Sequence, residues 1–454
     1  MSEPKIIFNE IMRLGGKDMA IIYLENGEGT ISKYNLGNAR RIDDKTAVIN
    51  SLCIEDYPII NITTFKGKGP CCDKMICSGY GREDISREIT RLIEECGNTG
   101  YSSLEGAVNA VYPILSKMSE GLYGVYYTKL YPTDGAGNFF WSLSSIPKEM
   151  VGSADQNCSD SPNETLLPCF LLPTISPVHY DEQKIESYRE QIRSGDNFAG
   201  IALQIEGLFC ALLDGHHRAA ACTLEEVDFY GIVIEKIDEV LFEEVEDEDS
   251  GDIVEKATGF ASISCKLPFE LIPQHISRKQ LQLRKEKKPE NYYKIKYQYN
   301  NREPVRGHVS WSDEIIEKSE LLPDAQMILS AQTINGVTDD ELIALLASKT
   351  SHNGRIIVSR NLYESIVTVI NFLLYTDGAR FIEFAFAVMK ESNLVATHHY
   401  IAQRLSRVND EQIYDFFKEI VENEHIKDNI KEIALKYLER NEERYSKQDE
   451  DIKA

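Results

Sequence analysis

No stretch of this chain approaches the roughly 18 consecutive apolar residues that cross a bilayer, so a helical membrane anchor is not expected. The opening residues Met1-Ser2-Glu3-Pro4-Lys5 lack a charged segment followed by an apolar core, which speaks against a secretory leader and for a cytoplasmic address. Cations are in short supply. Lys and Arg number 49 against 73 Asp and Glu, a formal net charge of −24, and indiscriminate binding to DNA or anionic membranes selects for the opposite balance. Paired CxxC spacings are missing although the chain has 10 cysteines, which in a cytosolic setting read as reduced thiols rather than a disulfide framework. Cys71, Cys72 and Cys77 form the one cluster. Zinc would have to recruit Cys53 or Cys96, and no metal site is expected there.

With 42% hydrophobic and 27% charged residues the composition is that of a globular protein, and 454 residues suggest about two to four domains. The expected fold class is multidomain: an α/β N-terminal part, an α/β central domain and an all-α C-terminal helical array. Residues 1–155 read as a mixed α/β domain, with a strand over Pro58–Phe65 and helices over Asp84–Cys96 and Ser103–Met118. Gly124–Tyr131 and Asn138–Leu143 flank Pro132-Thr133-Asp134-Gly135-Ala136-Gly137 and predict a hairpin. Ser153–Asn163, rich in Ser, Asp and Asn, reads as a linker.

The densest chemistry lies in Leu212-Leu213-Asp214-Gly215-His216-His217-Arg218-Ala219-Ala220-Ala221-Cys222. Two strands, Ile201–Ile205 and Leu208–Leu213, precede it, and the alanine-rich run after it favours a helix. Backbone N–H groups at that helix start, the helix dipole and the Arg218 fork together suit a phosphate or carboxylate. A turn alone needs neither two histidines nor an arginine, although Asp214 could simply cap the helix.

Asp-Gly-His-His-Arg resembles the DGxHR signature of the ParB/sulfiredoxin superfamily, which includes sulfiredoxin, the nucleotide-binding domain of ParB and a free-serine kinase. Upstream, Leu172-Pro173-Thr174-Ile175-Ser176-Pro177 followed by Asp181–Tyr188 is similar to sulfiredoxin's opening strand and first helix. The resemblance covers residues 165–237. It implies a nucleotide-binding domain with Lys184 and Ser187 near the nucleotide and Gly215, His217 and Arg218 at its phosphates. His216 stands where sulfiredoxin has its reactive cysteine, so sulfinic-acid reduction is not expected, and the kinase-like and uncharacterised DGHHR members are the closer match. The implied cofactor is ATP, ADP or CTP, with Mg2+ as a companion ion. Asp214 has three roles open to it: orienting His217, binding a metal that bridges the phosphates, or accepting a proton from an attacking hydroxyl. His216 is a candidate covalent nucleophile. Two functions follow: a phosphotransferase or hydrolase acting on a small-molecule or protein hydroxyl, or a nucleotide-gated interaction protein without turnover.

Residues 239–256, with Glu243-Glu244-Val245-Glu246-Asp247-Glu248-Asp249, read as an acidic, solvated linker. Residues 257–310 read as a β-containing connector whose basic stretch Arg278–Lys288 is a solvated segment rather than a nucleic-acid site. Residues 311–454 are expected to form a helical, HEAT-like array from apolar spacings such as Phe381, Ile382, Ala385, Val388 and Met389, with a capping box at Thr338. Such an array presents a surface for a protein partner. His398 and His399 are adjacent and point apart, so packing or capping is expected of them.

Overall fold

Three apolar runs, 19–24, 169–173 and 209–213, lack the polar alternation of a half-wet strand and fit strands covered on both faces. Each is buried along its length. In the computed structural model they belong to one sheet built from β1 (Lys5–Leu14), β2 (Lys17–Glu28), β7 (Ser119–Tyr131), β9 (Cys169–Pro173), β10 (Ala199–Glu206), β11 (Phe209–Asp214) and β12 (Phe229–Lys236). The strand order is β1-β2-β7-β12-β10-β11-β9, and β9 also pairs with the end of β7, closing β7, β12, β10, β11 and β9 into a ring. The structure describes residues 2–14, 17–38, 46–66, 73–77, 84–97, 103–133, 139–140, 149–150, 169–175, 180–206, 209–246, 253–262, 264–283, 312–319, 322, 366–367, 369–370, 373–374 and 378–451.

Two compact units emerge, Met1–Gln326 and Met327–Ala454. The expected division near residue 155 is not a division of the sheet. β12 pairs with β7 from Phe229↔Leu130 to Lys236↔Tyr123, so the N-terminal strands and the central strands share one ladder. The reason is the exposed edge: an unpaired β12 would leave its backbone donors unsatisfied, and β7 covers them. On its other edge β7 pairs with β2 over Ser119–Val125 and with β9 at Leu130 and Tyr131, so β9 takes the end at which the expected hairpin partner over Asn138–Leu143 would begin. Of that hairpin only the bridge Thr133↔Phe139 is found among the described residues, and Phe139 and Phe140 are buried.

Helices α1 (Arg87–Gly97) and α2 (Leu104–Ser116) match the predicted spacings, and Ser103 caps α2 by accepting from the Gly106 amide at 3.0 Å. Helix α3 (Glu182–Arg193) follows β9, and α4 (His216–Leu224) follows β11. Cross-strand register sets Tyr126, Leu130, Cys169, Leu171, Ala202, Cys210, Leu212 and Val233 on one side of the sheet. There they join Ile185 of α3 and Ala219, Ala220 and Ala221 of α4 in one core.

A second sheet contains β3 (Ile31–Asn38), β4 (Thr46–Ile54), β5 (Tyr57–Lys66), β6 (Asp73–Cys77) and β8 (Glu149–Met150). A third contains β13 (Glu239–Glu246), β14 (Ile253–Ala261) and β15 (Lys266–Pro268). β13 and the start of β14 correct the reading of residues 239–256 as a linker, while Glu239, Glu243 and Glu244 are exposed as that reading expects. Val240 packs against the main core and Glu243 lies opposite Lys256, so strand pairing prevails over charge repulsion. The basic stretch is corrected in part as well. Its first residues lie in α5 (Gln274–Leu283), where Gln280 is buried, accepts from the Leu122 amide and donates to the Ile237 carbonyl, both at 3.1 Å. Residues 284–311 lie outside the described residues.

The second unit contains α7 (Gly378–Lys390), α8 (Val395–Leu405), α9 (Glu411–Glu422) and α10 (Asp428–Asp451), and no strand occurs among its described residues; a short α6 (Asp313–Ser319) belongs to the first unit. Phe381, Phe384, Ile401, Ile413, Phe417 and Tyr437 share its core. His398 lies within α8, buried, with Nε2 3.1 Å from the Val388 carbonyl, which is the packing role expected of it. The Thr338 capping box, Cys71, Cys72, the linker 153–163 and the glycine-rich loop 134–138 lie outside the described residues.

The ring of strands tests itself at Gly231. A Cβ there would lie 2.5 Å from both the Gly200 carbonyl oxygen and a Leu130 methyl, in the middle of the β10–β12 ladder. Gly231→Ala is expected to lower stability by about 1–3 kcal/mol, read as a shifted urea midpoint with an unchanged slope.

Candidate functional site

β9 and β11 run parallel, so their C-terminal ends lie side by side and each feeds a helix. The starts of α3 and α4 thereby converge. The amide of Asp181, the N-cap residue of α3, donates to His217 Nε2 of α4 at 3.0 Å. Parallel strands ending at two helix N-termini form the crevice where α/β sheets commonly hold ligands, with both helix dipoles presenting their positive ends.

Gly215 makes the turn into α4 with φ of 106°. A Cβ there would also press on the Gly200 backbone at 3.1 Å, so glycine is required twice over. Asp214 does not cap the helix through its side chain. It forms an i,i+4 ion pair with Arg218, and the side chains retain only 16% and 8% of their exposure. Arg218 Nη1 also donates to the carbonyl of Gly97, the last residue of α1, at 2.7 Å. Gly97 was not legible as a site residue: a Cβ on it would collide with the Asp214 carboxylate, a contact that exists only after folding.

The two histidines take different places. His216, expected as a candidate nucleophile, is 2% exposed, its ring lies near Phe140 and Tyr180, and its Nε2 accepts from the Thr174 amide at 3.1 Å. A buried nitrogen holding a backbone proton is not placed to attack a phosphorus, so His216 instead ties the end of β9 to α4. His217 is half-buried, next to Tyr180, and faces the start of α3. Lys184 lies in the first turn of α3 and Ser187 one turn further; both are exposed. The structure thus directs Arg218 to Asp214 and α1 and His217 to the start of α3, sets Lys184 one turn from the Asp181 that contacts His217, and leaves Ser187 on the outer surface, where its Oγ accepts from Gln191 at 3.3 Å.

A second set of charges clamps the two helices along their length. Glu225, just past α4, accepts from Arg189 Nε at 2.6 Å and from Arg193 Nε at 2.9 Å, both on α3. The bonds from Arg193, then those from Arg189, hold the Glu225 carboxyl below its usual range against the opposing effect of burial. Among the described residues no group of three or more His, Cys, Asp or Glu is placed to hold a metal ion.

Comparison with protein-family models, curated proteins and solved structures finds no match to this chain.

Two outcomes follow. Gly97→Ala is expected to push the Asp214 carboxylate off Arg218 and, since disrupting a buried pair typically costs about 3–5 kcal/mol, to lower stability by a similar amount; a calorimetric melt unchanged from the parent would contradict this account of the tie. The clamp has a pH signature. Because the folded carboxyl of Glu225 titrates below its unfolded value, its stabilisation is present at neutral pH and disappears as pH falls through the carboxylate range. Glu225→Gln should therefore lie below the parent in stability at pH 7 and converge with it in acid.

Proposed function

We propose that residues 165–237 form a ParB/sulfiredoxin-type nucleotide-binding unit and that the chain is a nucleotide-dependent phosphotransferase or hydrolase acting on a small-molecule or protein hydroxyl. The observation that carries this reading is the convergence of the α3 and α4 N-termini at the ends of two parallel strands, marked by the 3.0 Å Asp181–His217 contact. Phosphates suit such a place because both dipoles favour negative charge; at α3 a phosphate would take over from the Asp181 carboxylate, which accepts from the Gln183 and Lys184 amides. The element order β9-α3-β10-β11-α4-β12 is a compact α/β unit of the kind the motif implies. Lys184 supplies a mobile cation at the mouth, and His217 a hydrogen-bonding group between the helix starts. Asp214, already engaged by Arg218, suits orienting a proton better than holding Mg2+, which would travel with the nucleotide. His216 has a structural part in this reading.

A nucleotide-gated switch is the second reading, and Arg218 is the observation that favours it. Its guanidinium serves Asp214 and the Gly97 carbonyl. A phosphate that claimed Arg218 would compete with both and loosen α1 from α4, converting occupancy into a change of tertiary contact. The helical unit Met327–Ala454 is then the surface for a protein partner.

Calorimetric titration with ATP, ADP and CTP, each with Mg2+, followed by product analysis, separates these readings. Turnover supports the enzyme, and binding without turnover the switch. Lys184→Ala, an exposed change, should weaken binding about tenfold or more at unchanged melting temperature. Asp214→Asn, which keeps the shape of the Arg218 contact, should leave affinity within about tenfold while removing turnover. Absence of binding by all three nucleotides would overturn both readings.

A further inference from the structure

Past the three-stranded part of its sheet, the β13–β14 ribbon continues as two strands alone. β15 pairs with β14 only at Gly259–Ala261, so over Phe242–Glu244 and Glu255–Ala257 each strand has the other as its one partner among the described residues, and β13 keeps an open edge. Register divides the side chains of this stretch between two faces. On one, Glu243 lies directly opposite Lys256; on the other, Phe242 lies opposite Ala257 and Glu244 directly opposite Glu255. Phe242 is 55% exposed, both glutamates are exposed, and among the described residues neither carboxylate has a hydrogen bond or an ion pair. Like charges set opposite each other weaken a ladder, and a two-stranded ribbon has little stability to spare. The reverse face shows the arrangement that serves the ribbon itself, an acid facing a cation.

We propose that the face carrying Phe242, Glu244 and Glu255 docks a basic, extended segment of a partner protein, added as a strand along β13. Charge selects the partner: two adjacent carboxylates without a cation of their own take a lysine or arginine side chain between them. The Phe242 ring on the same face adds an attraction for an organic cation. The open edge selects the conformation, because its unpaired N–H and C=O groups pair with an extended chain, and every second side chain of that chain then falls beside Phe242 and Glu244. A cation at those positions turns a repulsive cross-strand pair into an attractive cluster.

The full-length chain is titrated into a fluorescein-labelled synthetic peptide that alternates lysine or arginine with valine, and anisotropy is compared with that of the same peptide carrying glutamine in place of the cations. The cationic peptide is expected to bind and the glutamine peptide not to. Glu244→Gln combined with Glu255→Gln should weaken binding about tenfold, and Phe242→Ala about threefold. A net charge of −24 attracts any cation, so the control is Glu419→Gln combined with Glu424→Gln, which removes the same charge at exposed positions of the second unit and should leave affinity within about twofold. The ribbon variant is also expected to melt at or above the temperature of the parent, because it loses a like-charge pair. Equal weakening by the two double variants would reduce the attraction to the field of the whole chain and overturn the assignment. So would absence of binding by the cationic peptide, or a ribbon variant that melts below the parent, since the glutamates would then serve the fold.

Discussion

A guanidinium taken out of water must find its partners inside the protein, and Arg218 finds them in the Asp214 carboxylate and the Gly97 carbonyl. That requirement joins three parts of the chain: the end of α1, the end of β11 and the first turn of α4. The Asp214-Gly215 turn places carboxylate and guanidinium one helical turn apart, so the pair is set locally. Gly97 arrives from more than a hundred residues earlier in the sequence, and only a residue without a side chain leaves room for the Asp214 carboxylate. The junction therefore ties α1 to the turn that opens α4.

The same dependence on distant partners governs the sheet. β7 lies between strands from both ends of the first unit, pairing with β2, β12 and, at its last residues, β9. The site at the ends of β9 and β11 therefore rests on strands from the N-terminal stretch. Buried polar side chains fasten the outlying pieces to this frame. Gln280 bridges the Leu122 amide and the Ile237 carbonyl, and Glu235 accepts from the Ser264 amide at 2.9 Å. Apolar burial supplies most of the stabilisation, but such bonds fix which segments meet.

Negative charge dominates the chain, yet individual arginines are held by acids at particular points of the fold. Arg189 and Arg193 lock α3 to α4 through Glu225, and Arg218 pairs with Asp214. Net charge restricts the partners of the whole surface, whereas local geometry sets the preference of each crevice.

Patterns of short range were legible in the sequence because their causes are local. The β10–β11 pair, the left-handed Gly215, the start of α4 and the apolar faces of the C-terminal helices follow from turn chemistry and periodicity over a few residues. Three conclusions needed the tertiary structure: the sheet shared across residue 155, β13 in place of an acidic linker, and His216 as a buried brace. In each, the outcome depends on which edge, face or amide the rest of the chain brings near. The sequence by itself determined the residues that gather at the central turn; only the tertiary structure decided which of them hold one another, because a buried donor binds whatever acceptor folding delivers to it.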